Sequence, residues 1–211
     1  VSYSSTSADI LIGEGAASPG VFNATGATFT GGSGNMISFN DGGSGSLQGC
    51  VFQGAMRAFV TGGVGAVAVQ SCDFDDSTSL FVSRYQELPV VTGNNCSGNG
   101  LVIGVPVTLA HQLGDNSFSG EDATATIYAS NTPVTSDAAW TAHGGLNRYS
   151  VSGSLIVENG ATLSVGGGVE HIQWNNGLYV EDGGELRVAA GVQTIVLSAH
   201  VYIRGGGTIE F

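Results

Sequence analysis

The stretch from Leu155 to Ile172, LIVENGATLSVGGGVEHI, recurs without a gap from Leu178 to Ile195 as LYVEDGGELRVAAGVQTI. Nine of the 18 positions agree, among them Leu155/Leu178, Val157/Val180, Leu163/Leu186, Val165/Val188 and Ile172/Ile195, all at a sequence offset of 23. A third copy, VYIRGGGTIEF, starts at Val201, after the same offset again. A fixed period of this size marks a chain built from stacked copies of one small unit. Within each copy the apolar residues alternate, as in Leu155, Val157 and Leu163, Val165, with turns such as ENG or EDGG between the pairs. That pattern reads strand, turn, strand. Coils of this kind stack at ~4.8 Å, so each inward side chain lies over its counterpart.

The earlier half repeats more loosely. Ala27-Thr-Phe29, Cys50-Val-Phe52, Cys72-Asp-Phe74, Cys96-Ser-Gly98 and Asn116-Ser-Phe118 follow one another at offsets of 23, 22, 24 and 20. A second strand set follows the same period, at 36–39, 58–60, 80–82, 101–103 and 126–128. Glycine numbers 35, charged residues are only 10% and apolar residues 42%, a composition too apolar for a disordered linker. Val, Ile and Phe set among Gly, Asn, Ser and Thr favour short strands over helices. The expected fold is therefore all-β, a right-handed parallel β-helix of about 22–24 residues per coil, with residues 1–211 as a single domain. Residues 1–20 supply N-terminal strands or a segment exchanged with a neighbour, 21–118 form looser coils, 119–150 are irregular, and 151–211 form regular coils.

Cys50 and Cys72, each in the pattern G/S-C-x-F, resemble the stacked turns of the pectate-lyase-like, right-handed parallel β-helix superfamily. Cys96 departs from it, with Gly98 in place of Phe. The passage VENGATLSVGGGV is similar to β-helix passages of large bacterial surface proteins. The resemblance implies an architecture and assigns no chemistry.

Against 17 Asp and Glu stand five arginines (Arg57, Arg84, Arg148, Arg187, Arg204) and no lysine, for a net charge of −12. Nucleic acid binding rests on neutralising phosphates, so nucleic acid is excluded as a partner, and anionic membranes and acidic glycans are disfavoured. No stretch reaches the roughly 20 apolar residues of a membrane-spanning helix. Residues 1–9 lack the basic start and apolar run of a signal peptide, so a secreted chain has already lost its leader.

Three cysteines at coil spacing act first as small buried apolar residues, with a disulfide between neighbouring coils or a metal as the alternatives. The cluster Asp73, Asp75, Asp76 with Arg84 invites an enzyme reading. Lyases of the resembled superfamily hold calcium on acidic residues and use Arg or Lys as the base, and the related hydrolases pair carboxylates. No lysine, His-Gly or Arg-x-Lys motif accompanies these aspartates, so they read as a solvated turn. His111, His143, His171 and His200 are scattered and read as surface or turn positions. Glu158, Glu181 and Arg204, one per coil, form an outward ladder, with a calcium shared by the two glutamates as the alternative. Tyr179 and Tyr202 make an outward aromatic stripe. Thr28 and Thr30 do not continue into an ice-binding threonine ladder, because the next coils carry Val51 and Gln53, then Asp73 and Asp75. Asn23-Ala-Thr25 and Asn95-Cys-Ser97 are glycosylation triplets.

These observations assign no catalytic, cofactor-binding or metal-ligating residue. The expected function is that of a non-catalytic extracellular or cell-surface structural or adhesive β-helix protein, assembling head to tail into a filament or forming part of a larger surface protein. The end-to-end expectation rests on the third copy breaking off at Phe211, before the turn that follows the earlier copies. The runner-up is a polysaccharide lyase or hydrolase, or a glycan-binding β-helix domain, with glycans as ligands.

Overall fold

The computed structural model describes residues 2–4, 10–13, 19–31, 35–40, 42–54, 57–61, 66–75, 79–83, 90–97, 102–107, 110–113, 115–119, 124–128, 133–197 and 200–211. The chain is all-β. Every strand pair among the described residues is parallel, and the only helix there is the single 3-10 turn Ala110–Leu113. Strands one coil apart in sequence lie side by side, which defines a parallel β-solenoid. The chain divides into two compact units, Val1–Gly104 with Gln112–Ala123 and His143–Gly145, and Val105–His111 with Thr124–Ala142 and Leu146–Phe211.

In the first unit one strand family runs through Ser2–Ser4, Thr28–Thr30, Val51–Gln53, Asp73–Asp75, Asn95–Ser97 and Ser117–Ser119. A second contains Ile10–Ile12, Asn35–Phe39, Arg57–Thr61 and Ser79–Ser83, and a third Gly20–Thr25, Gly43–Gln48, Val67–Gln70 and Val90–Thr92. The strands Ser2–Ser4 and Ile10–Ile12 pair with Thr28–Thr30 and Ile37–Phe39.

The corner between the third and first families fixes the register. Gly26, Gly49, Ser71 and Gly93 all adopt left-handed backbone conformations (φ 59°, 57°, 53° and 66°), a conformation glycine enters without a Cβ penalty. Each corner amide donates to a carbonyl of the next coil: Gly26 to Gln48, Gly49 to Gln70, Ser71 to Thr92 and Gly93 to Asp115. The next residue inward is Ala27, Cys50, Cys72, Asn94 or Asn116, all buried.

This register corrects the sequence alignment at one coil. Cys96 does not continue the line of Cys50 and Cys72; it pairs with Phe74 on one side and Phe118 on the other. The aromatic ladder is therefore Phe29, Phe52, Phe74, Cys96, Phe118. The first three rings stack at 4.8 Å, tilted by 9° and 7°, whereas Phe118 is separated from Phe74 by the thiol. In the second strand set Phe81 aligns with Ile103, one position away from the alignment of 80–82 with 101–103.

In the second unit the ladders appear as the repeat requires. Leu155, Leu178 and Val201 are in register, as are Val157, Val180 and Ile203, and Leu163, Leu186 and Ile209. The turns Asn159-Gly160, Asp182-Gly183 and Gly205-Gly206 have both central residues at positive φ, the requirement of a type I′ turn and the reason for its Asn-Gly and Asp-Gly chemistry. Among the described residues of 119–150 the pairing stays parallel, and two strand pairs have longer offsets. Thr124 meets Arg148 and Ala138 meets Leu163, so both pairs are set wider than the regular coils. Trp140 is wholly buried there, donates its indole N–H to the Val107 carbonyl at 3.1 Å, and stacks on Tyr149 at 5.7 Å.

Candidate functional site

The fold withdraws the cysteines from solvent. All three are free thiols and buried. Burial pushes the Cys72 thiol up to about 11 and the Cys96 thiol up to about 12, with smaller contributions from neighbouring groups, so thiolate at these two positions is scarce at neutral pH. One coil beyond Cys72 the same inward position becomes amide. Asn94 donates its backbone N–H to Asn116 Oδ1 at 3.1 Å and its Nδ2–H to the same oxygen at 2.9 Å, while Cys72 N–H donates to Asn94 Oδ1 at 2.9 Å. Asn94 Nδ2 and Asn116 Nδ2 also donate to the carbonyls of Val69 and Val91 at 3.0 Å. This closed network satisfies buried amides that an aliphatic neighbour would leave unpaired.

Asp73 and Asp75 are exposed, and Asp75 accepts a hydrogen bond from Ser97 Oγ at 2.9 Å. Asp76 and Arg84 lie outside the described residues. The outward register reads Thr28, Val51, Asp73 and Thr30, Gln53, Asp75, so the threonine pair ends after one coil, as the sequence implies. Asn23 and Asn95 are exposed, and Asn23 Oδ1 accepts from Ser46 Oγ at 2.9 Å.

His171 lies half-buried in the strand His171–Trp174, between Arg148 and Thr194, and His143 is half-buried beside Gly144. His200 is exposed, its ring 6.1 Å from that of Tyr202. His111 falls in the 3-10 turn. Among the described residues no group of three His, Cys, Asp or Glu side chains is placed to hold a metal.

The ladder of Glu158, Glu181 and Arg204 forms on the outer surface, and Arg204 Nε pairs with Glu181 Oε2. This hydrogen bond and the carboxylate charge raise the Arg204 pKa above its usual range. Tyr179 and Tyr202 stack at 4.8 Å with their planes 7° apart.

One surface lies outside the residues that the sequence singles out. On the outer face of Ala138–Trp140, Thr162–Val165, Glu185–Val188 and Thr208–Glu210 lie two adjoining clefts of about 470 and 460 Å³ that share Ala139, Ser164 and Arg187. Arg187 Nη2 pairs with Glu185 Oε2 at 2.8 Å and Nε approaches Glu210 Oε2 at 3.7 Å. Asp137 Oδ1 accepts from the Thr162 N–H at 2.8 Å, and Thr162 Oγ1 donates to Glu185 Oε2 at 3.4 Å. Exposed Phe211 completes the wall of one cleft. The face therefore offers hydroxyls, carboxylates and one guanidinium over a floor of small side chains.

The fold and its surfaces define a parallel β-solenoid with acidic and hydroxyl-bearing outer faces. No family model, characterised protein or solved structure matches the chain.

Proposed function

We propose that this protein is a structural or adhesive β-helix of an extracellular assembly, of the pectate-lyase-like right-handed kind and similar to the β-helix passages of bacterial surface proteins, and that it associates with copies of itself by stacking coil on coil. One observation supports this reading above the others. Val201 and Ile203 are in register with buried Leu178 and Val180, yet they are 40% and 53% exposed, with Tyr202 between them at 45%. The Leu178 N–H donates to the His200 carbonyl of the next coil, while the strand Val201–Ile203 has a strand partner on one side only among the described residues. Such an edge is a template for another strand, and natural proteins cover it, here with a further coil of a larger surface protein or with another copy. In the first unit the strand Gly20–Thr25 likewise pairs on one side only among the described residues, with Val21 71% exposed. Contact between two different edges is head to tail, and where its rotation does not close a ring it extends into a filament.

The test is light scattering and electron microscopy of the 211-residue chain across a concentration series, beside the variant Val201→Asp/Ile203→Asp. Growth into filaments by the parent and a monodisperse variant support the reading. A parent that stays monomeric at millimolar concentration overturns it.

The Arg187 clefts favour a second reading, a glycan-binding face, because carboxylates, hydroxyls and a guanidinium over a shallow floor match the hydroxyl pattern of a neutral sugar chain. Calorimetry with neutral oligosaccharides separates the two. Heat that disappears in Arg187→Ala supports glycan binding, and none with any neutral sugar removes it.

A further inference from the structure

Two of the three thiols sit one rung apart. The register Val51 to Asp73 and the hydrogen bond from Asp73 N–H to the Cys50 carbonyl, 2.8 Å, hold the backbones of Cys50 and Cys72 at adjacent positions of successive coils. Neighbouring parallel strands lie ~4.8 Å apart, inside the Cα separation of about 4.4–6.8 Å that a disulfide spans. The Cys72 side chain also reaches the neighbouring coil: Cys50 N–H donates to Cys72 Sγ at 3.4 Å. Both residues are wholly buried, and their sulfurs make only weak contacts, among them those with the carbonyls of Ala24 and Leu47 at 3.5 Å, which a turn about χ1 gives up at little cost.

The third thiol is placed differently. Cys96 pairs in register with Phe74, two residues beyond Cys72 along the strand. One rung across and two residues along puts its Cα about 8 Å from that of Cys72, beyond disulfide reach.

We infer that Cys50 and Cys72 close a disulfide between successive coils when the protein folds in the presence of a small-molecule disulfide, and that Cys96 remains a free thiol. One thiolate attacks a sulfur of the oxidant, forming a mixed disulfide and releasing one thiol. The other thiolate then attacks the protein sulfur of the mixed disulfide, forming the Cys50–Cys72 bond and releasing the second thiol. Two protein thiols are oxidised, one oxidant disulfide is reduced, and the two protons leave on the released thiols. Burial keeps both thiols out of an oxidant's reach in the folded protein, so the bond forms while the coils are assembling.

The experiment refolds the full chain from urea in oxidised and reduced glutathione, beside a sample refolded in reductant. Free thiols are then blocked with N-ethylmaleimide under denaturing conditions, and the peptides are mapped by mass spectrometry. The expected result is a linked peptide pair containing Cys50 and Cys72, about 2 Da lighter than the two reduced peptides together, with Cys96 alkylated. The bridged protein has a higher urea midpoint than the reduced sample. Cys96→Ala retains the link, and Cys72→Ala leaves Cys50 alkylated or carrying one glutathione. Should refolding yield be low, the same map is made on protein held with oxidised glutathione at its urea midpoint, where the coils open and close, with the same expected link. Three alkylated cysteines under oxidising conditions, or a link that includes Cys96, overturn the inference.

Discussion

Asn94 and Asn116 are joined across successive coils by two hydrogen bonds to one oxygen, the backbone N–H and the side-chain N–H of Asn94 both donating to Asn116 Oδ1. Both residues are buried, so the network is stable only when every donor is used. Asn116→Ala removes the acceptor and strands the Asn94 backbone N–H and one side-chain N–H, while the other still reaches the Val69 carbonyl. The expected loss is about 3 kcal/mol, read as a lower urea midpoint with an unchanged slope. A loss below ~1 kcal/mol shows that the amides are solvated rather than paired.

Phe52 stacks between Phe29 and Phe74 at 4.8 Å on each side and is wholly buried. Truncation to Ala is expected to cost about 3–5 kcal/mol, because the rings above and below cannot close the space. Phe118, which meets a thiol rather than a ring on that ladder, is expected to lose less on the same truncation.

Part of this is legible in the sequence. The second unit's ladders can be read there because identical residues recur at 23 and because Asn-Gly and Asp-Gly name their own turn. Matching by residue identity fails at Cys96, since Ala, Cys and Asn exchange freely at the small inward position after the corner. The corner itself holds the better signal: Gly49, Ser71 and Gly93 are evenly 22 apart, and they place Asn94, not Cys96, after Cys72. The Arg187–Glu210 pair follows from the regular register, but Asp137 and Ala138 join that face at an offset of 25 that no repeat announces.

Gly184 and Gly207 are one coil apart, and a Cβ on either would collide with a backbone oxygen of the preceding coil, that of Val157 or Val180. Gly184→Ala is expected to destabilise by about 2 kcal/mol or more, since backbone rather than a flexible side chain must move. Gly191→Ala is the matched control. No atom lies within 4 Å of its Cβ position, and its stability is expected to stay within about 0.5 kcal/mol of the parent. Equal costs at the two sites contradict the stacking register.

With reductant present, the buried thiols make stability fall in alkali. Below pH ~9 folded and unfolded chains both hold these protons; above it the unfolded chain releases them, while folded Cys72 and Cys96 keep theirs up to about 11 and about 12. Stability is therefore full below pH ~9 and drops by about 1.4 kcal/mol per pH unit per thiol until the folded values are passed. Urea midpoints between pH 8 and 11 measure the slope, and Cys96→Ala is expected to be shallower by about one thiol's share. An identical slope in parent and variant removes Cys96 from the account.

The central claim, that the edge of the coil at Val201–Ile203 is covered by another copy, is tested most directly by amide hydrogen exchange at Leu178 and Val201, which share one register position. In dilute solution Leu178 is protected through its bond to the His200 carbonyl, and Val201 exchanges quickly. As concentration rises into the assembled state, the protection of Val201 is predicted to grow by on the order of 100-fold, with Leu178 little changed. A Val201 amide that exchanges equally fast at every concentration contradicts the claim.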